Sequence, residues 1–426
     1  MNYNEALSYI HSISWKGSVP GLSRTRELLA KIGNPEKSLK FVHIAGTNGK
    51  GSTAAMLSSI LEQGGLTVGL YTSPFINRFN ERIQVNHVCI GDEELAELTE
   101  FIRPYADSMD DSPTEFELIT VLAMEYFRRK ACDIVVLEVG MGGELDSTNV
   151  IDTPEVAVIT AMGYDHTQVL GNTMTEIASA KAGIIKSGGQ VVAYGQNPEA
   201  QAVFERVCRE RGASLHYPDY ASLTPGDFNL DGQSFSYGRL KDLWIPLAGV
   251  YQLNNAAVVI TAADVLRQEG WPVTDDTIRA GLKATTWPAR FEVLHRDPVF
   301  IVDGGHNPHG IRATAESLRR IFPGKRFIFV TGVMADKDVE HILGLIVPMA
   351  DHFYTVTPNN PRAMEAGELA RRIRAMGAQA TPCGSVADGV EAAMKDAGRD
   401  GVCCALGSLY MSGDVRDCFP DSSAPV

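Results

Sequence analysis

The chain has 426 residues, of which 44% are hydrophobic and 21% charged, and its formal net charge at pH 7 is −14. This length predicts two or three domains of about 100–200 residues each. The negative charge argues against a nucleic-acid backbone or an anionic membrane as the main partner. No apolar run approaches the ~20 residues that span a bilayer, and no signal peptide is apparent. The seven cysteines form no CxxC pair, so we expect reduced thiols in a cytoplasmic protein.

Apolar strand-like runs alternate with amphipathic helical patterns in the first half of the chain. The predicted strands are 41–45, 67–71, 133–139, 156–160 and 190–194. Apolar residues recur every three or four positions in the predicted helices 52–63, 114–129 and 199–211. This alternation is typical of an α/β domain with a parallel sheet.

A second alternating unit follows a segment of different character. Residues 223–244 are rich in Gly, Asp, Asn and Ser, with short alternating stretches that indicate a hairpin excursion. Further strands are predicted at 299–302, 326–331, 353–357 and 402–406. Residues 285–298 hold two prolines and no sustained helical period, so we place the domain boundary there. The predicted domains are 1–285 and 298–426, joined by a linker at 286–297.

The segment 41–53 has the layout of a phosphate-binding loop. An apolar run leads into a glycine-rich turn with Lys50 and then Ser52. Glycines let backbone N–H groups point at phosphate oxygens, the lysine would reach the terminal phosphates, and a hydroxyl would hold Mg²⁺. The consensus is not met literally, because Ile44 replaces its first glycine and Gly51 separates the lysine from the serine. The pattern predicts ATP binding, and a glycine-rich turn without a ligand is the alternative.

Three side chains farther along the chain could serve the same chemistry. Glu138 ends a predicted strand and precedes a glycine-rich turn, and an acid in that position of a nucleotide-binding sheet usually faces Mg²⁺. His166 follows Asp165, and Lys181 lies in a predicted helix. Taken separately, the last two are typical of an ordinary loop histidine and an ordinary helix lysine.

From about residue 20 to Arg416 the chain resembles the folylpolyglutamate synthase and dihydrofolate synthase family of the Mur ligase superfamily. The segments that carry the resemblance are 45–52, 71–74, 79–83, 138–143, 145–149, 165–166, 170–171, 181–184, 287–290, 303–308, 357–362 and 407–410. The last two favour this family over the cell-wall ligases. The implied fold is α/β, with a P-loop Mur-ligase-type domain that has a parallel sheet, followed by a smaller Rossmann-like C-terminal domain.

The resemblance also implies a reaction. In this family a substrate carboxylate attacks the γ-phosphate of ATP to give an acyl phosphate, and the amine of L-glutamate then displaces phosphate to leave an amide. The expected acceptor is a reduced folate, dihydropteroate is left open as a second acceptor, and a monomer is expected. The alternatives are a Mur-type ligase with another carboxylate acceptor, and a P-loop phosphotransferase or nucleotide switch. Arg290, Asp303 and His306 argue against a switch, which needs no amine-binding cleft.

Residue roles follow from the same resemblance. The predicted ATP contacts are Thr47, Asn48, Gly49, Lys50, Gly51, Ser52 and Thr53 in the loop, Asn255 near the base, and Arg290 and Asp303 from the linker and second domain. This sharing implies that the domains close over ATP before chemistry. Lys50, His166, Lys181 and His306 are the predicted catalytic residues. His306 is expected to line the glutamate cleft. Ser408 is a weaker candidate there, since helix N-capping explains it equally well.

Two Mg²⁺ sites are implied by the resemblance. Ser52, Ser73 and Glu138 are expected around the first ion, and Glu138, His166 and Lys181 around the second. A lysine ammonium has no lone pair for Mg²⁺, so the family's carbamylation is expected at Lys181. An unmodified lysine in a salt bridge is the alternative.

Four positions depart from the family pattern. They are Phe75 and Tyr251 in place of histidine, Glu144 in place of arginine, and Ala180 in place of glutamate. None removes a proposed metal ligand. Glu144 reverses a charge near the substrate and puts the identity of the pterin in doubt, whereas Ala180 would loosen the surroundings of Lys181.

Overall fold

The computed structural model describes residues 1–17 and 19–420. Ser18 and residues 421–426, which fall within the two predicted domains, lie outside the described residues. The chain divides into two compact units. The first holds Met1–Leu223, Tyr237–Leu240 and Asn254–Thr285, and the second holds Thr224–Ser236, Lys241–Leu253 and the residues from Thr286. The predicted boundary near residue 285 stays a prediction, and the hairpin region contributes to both units.

The first unit is built on an eight-stranded sheet. Its strands are β1 (Phe41–Ala45), β2 (Val68–Tyr71), β3 (Ile83–Val85), β4 (Val88–Cys89), β5 (Ile134–Glu138), β6 (Val156–Ile159), β7 (Gln190–Ala193) and β8 (Ser214–His216). Their order is β4-β3-β2-β5-β1-β6-β7-β8, in which β3 and β4 are antiparallel and the other neighbours parallel. The carboxyl ends of β2, β5, β1 and β6 therefore meet at one edge of the sheet.

Ten helices accompany this sheet in the described residues. They are α1 (Tyr3–Ser12), α2 (Ser23–Lys31), α3 (Lys50–Gln63), α4 (Asp92–Asp107), α5 (Glu115–Arg129), α6 (Thr167–Leu170), α7 (Met174–Ala182), α8 (Pro198–Arg211), α9 (Gln252–Gln268) and α10 (Asp275–Ala284). The helix after the phosphate loop, α3, is buried from Gly51 to Leu61. The backbone of α10 packs directly against it, because a Cβ at Gly281 would overlap the backbone of Ile60. The helix whose N-terminus would bind phosphate is thus buried along most of its length.

The second unit contains a three-stranded excursion and a six-stranded sheet. The excursion is formed by β9 (Leu223–Asn229), β10 (Gly232–Tyr237) and β11 (Leu240–Ile245), whose ends lie partly in the first unit. The sheet is formed by β12 (Glu292–Arg296), β13 (Val299–Val302), β14 (Phe327–Thr331), β15 (Ala350–Thr355), β16 (Ala380–Pro382) and β17 (Val402–Leu406). Its order is β12-β13-β17-β14-β15-β16, and only β12 pairs antiparallel. The helices of this unit are α11 (Pro308–Ile321), α12 (Val339–Ile346), α13 (Ala366–Ala375), α14 (Val386–Ala397) and α15 (Ser412–Asp417).

The predicted α/β class with parallel sheets is confirmed in both units. The predicted linker 286–297 is more ordered than its sequence indicates, because it contains β12. Sequence reasoning also missed β3, β4, β8 and β16, which have two or three residues each. Strands this short carry too little alternation to be recognised. Among the described residues, no helix is both long and apolar enough to cross a membrane.

Candidate active site

The phosphate loop packs too tightly for side chains at two of its glycines. Gly46 has a φ of 152°, and a Cβ there would overlap the hydroxyl of Thr160 at the end of β6. Gly49 is left-handed, with a φ of 86°, and a Cβ there would lie 2.7 Å from Oδ1 of Asn255. The loop is therefore pressed between the end of β6 and the start of α9, which places the predicted base contact Asn255 beside the loop.

Two backbone N–H groups at the start of the loop serve to anchor it. The N–H groups of Thr47 and Asn48 donate to the carbonyl oxygen of Ala161 over 3.0 and 3.1 Å. The hydroxyl of Thr47 donates to Gly163 over 3.0 Å. These N–H groups hold the loop to the segment after β6. The predicted contacts of these two residues with ATP stay predictions.

The first turn of α3 places two buried hydroxyl groups behind Lys50. Ser52 and Thr53 are both buried, and within the described residues Oγ1 of Thr53 has no hydrogen-bond partner. A buried hydroxyl without a partner costs about 1–3 kcal/mol, and a phosphate oxygen at this helix N-terminus would satisfy it. This observation supports Thr53 as a phosphate contact.

Lys50, Glu138 and Ser73 come together from three neighbouring strand ends. Nζ of Lys50 lies 3.9 Å from Oε1 of Glu138, and the N–H of Ser73 donates to Oε2 of Glu138 over 3.3 Å. The glutamate is 4% exposed. Three residues assigned to phosphate and Mg²⁺ from the sequence thus form one cluster at the sheet edge.

Lys181 projects from α7 to the first glycine of the loop. Its Nζ is buried and donates to the carbonyl oxygen of Gly46 over 2.8 Å. Burial, and then repulsion by Lys50, lowers the pKa of Lys181 to about 7. In the described part of the chain no carboxylate lies within salt-bridge distance of Lys181, so the salt-bridge alternative finds no support. The amine is available in its neutral form near neutral pH.

A backbone clasp, which the sequence did not predict, fixes the end of α7. The N–H of Glu144 donates to the carbonyl oxygen of Ala180 over 2.8 Å. A Cβ at Gly143 would lie 2.9 Å from the same oxygen, and a Cβ at Gly183 would overlap Cα of Glu144. The buried amide of Asn149 donates to the carbonyl oxygens of Glu144 and Gly183 over 3.0 and 3.3 Å. The glycine-rich turn after Glu138 therefore holds the last turn of the Lys181 helix.

His166 lies at the N-terminus of α6 with a left-handed backbone, φ 51°. Its N–H donates to Oδ1 of Asp165 over 2.9 Å, and its ring Nε2 is 4.0 Å from Oδ2 of the same aspartate. The ring is 43% exposed. Its place at a second Mg²⁺ stays a prediction. Over residues 1–17 and 19–420, no three His, Cys, Asp or Glu side chains cluster closely enough to hold a metal ion by themselves.

In the second unit, Asp303 accepts four hydrogen bonds. Its Oδ2 accepts from the N–H of Phe291 (2.9 Å) and the hydroxyl of Tyr251 (3.0 Å). Its Oδ1 accepts from the N–H of Gly305 and the hydroxyl of Thr314, both over 2.8 Å. The carboxylate is buried, and within its own unit it organises the turn around Arg290. The predicted contacts of Asp303 and Arg290 with ATP stay predictions.

The two residues predicted near glutamate also lie in the second unit. Nδ1 of His306 is 3.0 Å from the carbonyl oxygen of Gly304. Oγ of Ser408 accepts from the N–H of Tyr410 over 3.1 Å and caps the short helical turn that follows. For Ser408 the structure thus shows the N-cap that the sequence offered as the alternative. A glutamate contact for either residue stays a prediction.

Family models match both halves of the chain. The Mur ligase middle domain matches residues 44–263, and the Mur ligase glutamate ligase domain matches residues 289–409. The fold and the phosphate-loop cluster thus define an ATP-dependent ligase of the Mur type.

Similarity to individual proteins identifies the family within the Mur ligases. The chain is 42% identical to a folylpolyglutamate synthase of Lacticaseibacillus casei over 380 residues, 86% of this chain and 88% of the relative. It is 36% identical to a dihydrofolate synthase/folylpolyglutamate synthase of Bacillus subtilis over 429 residues, 97% of this chain and 98% of the relative. The structure of Mycobacterium tuberculosis folylpolyglutamate synthase complexed with ADP and AMPPCP superposes with a TM-score of 0.90, 29% identity and 100% coverage of both chains. The chain belongs to the folylpolyglutamate synthase/dihydrofolate synthase family.

Proposed function

We propose that this ligase joins L-glutamate to the carboxylate of a reduced folate with the cleavage of ATP to ADP and phosphate, and that it also accepts dihydropteroate. The observation that carries the proposal is the cluster of Lys50, Glu138 and Ser73 at the mouth of a phosphate loop. The names of the relatives, which include both activities in the Bacillus subtilis protein, support the two acceptors. Monomeric state and cytoplasmic location are part of the proposal.

The chain's own residues account for the phosphoryl step. An oxygen of the acceptor carboxylate attacks the γ-phosphorus, the bond to the bridging oxygen breaks, and ADP leaves with the electron pair. Lys50 would neutralise charge on the transferring phosphoryl group. The N-terminus of α3, with Ser52 and the unpartnered hydroxyl of Thr53, would hold the remaining phosphates. The glutamate amine then attacks the acyl carbon, and phosphate leaves.

The donor set suits Mg²⁺ near Glu138. Mg²⁺ keeps several waters and is typically bound by one or two carboxylates together with substrate phosphates, so a buried carboxylate beside Ser73 is sufficient. When bound, Mg²⁺ would neutralise charge on the phosphates. We propose Ser52, Ser73 and Glu138 around one ion, and Glu138, His166 and Lys181 around a second.

Carbamylation of Lys181 is the chemical condition for the second site. A neutral amine attacks CO₂, forms a C–N bond and releases a proton, which leaves a carbamate anion with oxygen donors. The lowered pKa of Lys181, about 7, supports this step, because about half of the amine is neutral at pH 7. The clasp at the end of α7 would hold the modified side chain in place.

The roles proposed for the remaining residues follow the resemblance. Asn255 would contact the nucleotide near the base, Arg290 and Asp303 would contact ATP, and His306, together with Ser408, would act where glutamate binds.

Two other functions remain as alternatives. A Mur-type ligase could use a different carboxylate acceptor, and a phosphotransferase or switch would need neither a carboxylate nor an amine.

Phosphate release tests these possibilities. The protein is incubated with Mg²⁺-ATP and L-glutamate and with dihydropteroate, dihydrofolate or tetrahydrofolate separately, and products are identified by mass spectrometry. Glutamylated product with the folates and with dihydropteroate is expected. Product with folates alone would remove the dihydropteroate activity. Phosphate release that needs no acceptor would indicate a switch, and no turnover with any pterin would point to another carboxylate, with Glu144→Arg the first variant to examine.

A further inference from the structure

The turn that carries Arg290 has an unusual backbone. Its two neighbours, Ala289 and Phe291, adopt the left-handed region with φ values of 53° and 51°. Such a conformation is sterically unfavourable for a residue other than glycine, and a bulky side chain makes it rarer still. Two such residues on either side of an arginine require contacts that hold them.

Three hydrogen bonds provide those contacts. The N–H of Ala289 donates to Oε2 of Glu292 over 2.8 Å, and its carbonyl oxygen accepts from the N–H of Gly304 over 2.8 Å. The N–H of Phe291 donates to Oδ2 of Asp303 over 2.9 Å. Ala289 and Phe291 are buried. Asp303 is therefore one of the groups that keep the strained turn in its conformation.

Tyr251 also supports Asp303. Its hydroxyl donates over 3.0 Å to Oδ2, the oxygen that also accepts from Phe291, while the other carboxylate oxygen is held by Gly305 and Thr314. Burial, and then the negative charge of Asp303, raises the pKa of Tyr251 well above its usual value. The phenol therefore stays protonated and remains a donor. Loss of this hydroxyl would leave Oδ2 with the N–H of Phe291 alone among these four donors.

We propose that Tyr251 is a positioning residue for Arg290, acting through Asp303 and the strained turn at 289–291. The inference rests on the proposed function, because it takes Arg290 to be a contact of ATP. The guanidinium group of Arg290 is confined as well. One of its guanidinium nitrogens donates to the carbonyl oxygen of Ala289 over 3.1 Å, and a Cβ at Gly304 would overlap that nitrogen. A small movement of the turn would thus move the guanidinium.

The chain offers a matched control for the tyrosine hydroxyl. The hydroxyl of Tyr354, in the same unit, donates to Oδ2 of Asp396 over 3.4 Å. This exposed pair is distant in sequence from the turn at 289–291. Tyr251→Phe and Tyr354→Phe each delete one hydroxyl that donates to an aspartate. Binding of a non-hydrolysable ATP analogue by calorimetry needs no acceptor, so it reports on Tyr251 independently of which pterin the enzyme uses.

A double-mutant cycle between positions 251 and 290 provides the decisive test. Tyr251→Phe is expected to weaken analogue binding about tenfold, and Arg290→Ala at least as much, with no further loss when the two are combined. Tyr251→His, which keeps a ring N–H donor, is expected to restore most of the affinity. Tyr354→Phe is expected to bind normally.

Three results would overturn the proposal. The first is normal binding by Tyr251→Phe. The second is a loss from Tyr251→Phe that is equally large in the Arg290→Ala background, since this would mark a general structural role. The third is normal binding by Arg290→Ala, since the arginine would then have no contact to be positioned for. Turnover of a pterin in the phosphate-release assay would stand in each of these cases, which separates this inference from the proposed function.

Discussion

Nζ of Lys181 donates a hydrogen bond to the carbonyl oxygen of Gly46 over 2.8 Å. The helix that carries the lysine is thereby joined to the glycine that opens the phosphate loop. Because Gly46 cannot accept a side chain without overlapping Thr160, the carbonyl is fixed in place. Burial, and then repulsion by Lys50, lowers the pKa of Lys181 and favours the neutral amine over the ammonium.

We predict that the protein takes up CO₂ at Lys181 with a midpoint near neutral pH. An ammonium is not a nucleophile, and the pKa of Lys181 is lowered to about 7. Carbamate should therefore be scarce well below pH 7 and increase as the pH rises through that value, whereas an ordinary lysine would respond near pH 10.4. The measurement is ¹³C NMR of the protein in ¹³C-bicarbonate. Lys181→Arg should lack the signal, and a signal that persists in this variant would assign it to another amine.

Lys181→Ala should abolish turnover while ATP still binds. The variant removes the carbamate that Lys181 would offer to a second Mg²⁺, but it leaves the residues of the phosphate loop unchanged. Phosphate release and calorimetry with an ATP analogue separate the two effects. Near-normal turnover by this variant would remove Lys181 from the mechanism.

The sequence predicts the fold well where strands are long and apolar. Strands β1, β13 and β17 have the predicted bounds, and the other predicted strands match within three residues at either end. The strand in the linker was not predicted. β12 forms by antiparallel pairing with β13, and its own residues show no alternation of apolar and polar side chains that would indicate a strand. Pairing of this kind depends on tertiary structure and is invisible to local periodicity.

The sequence indicated which residues lie together at the candidate site, but not the contacts that hold the neighbouring helix in place. The strand ends bring Lys50, Glu138 and Ser73 together because parallel strands share one edge. The clasp of Asn149 on α7 was not predicted, although Asn149 belongs to one of the segments that carry the family resemblance. Its function depends on a carbonyl of Gly183, thirty-four positions away in the chain, and no local pattern reports such a contact.

Lys50→Ala should weaken nucleotide binding on the order of 10–100-fold, because a charge-assisted contact with phosphate contributes about 1.5–3 kcal/mol. Calorimetry with an ATP analogue measures the loss. Lys37→Ala is the control, since Lys37 pairs with Asp152 at the surface. Removal of Lys50 should also raise the pKa of Lys181, because their repulsion lowers it, and the NMR midpoint should move to higher pH. Unchanged nucleotide binding would contradict the phosphate-loop assignment.

Glu138→Gln should increase the Mg²⁺ concentration needed for turnover by at least about 10–100-fold, the range lost when even an indirect partner of a metal ligand is removed. The amide keeps the shape and the contact with Ser73 but loses the charge that faces Lys50. The Mg²⁺ dependence of phosphate release is measured beside Glu155→Gln, whose parent carboxylate pairs with Lys40 over 3.1 Å. An equal Mg²⁺ requirement in the two variants would exclude Glu138 as a ligand.

Gly183→Ala should destabilise the protein and weaken the carbamate signal together. Gly183 has a φ of −57°, which any residue can adopt, so the need for glycine is steric: its Cβ would overlap Cα of Glu144 in the clasp. Forcing an extra methyl group into such a contact costs typically about 1–3 kcal/mol. Gly344→Ala in the exposed part of α12 meets no atom within 4 Å and should instead stabilise by roughly 0.5–1 kcal/mol.

Chemical unfolding gives the stability of both variants, and ¹³C NMR reports on Lys181. If Gly183→Ala lost stability but kept the carbamate signal with its midpoint unchanged, the clasp would be a packing contact only. A shifted midpoint in a variant that is still folded would instead show that the turn after Glu138 sets the surroundings of Lys181. The two segments proposed around the second Mg²⁺ would then be adjusted to one another through backbone contacts, before any ion is bound.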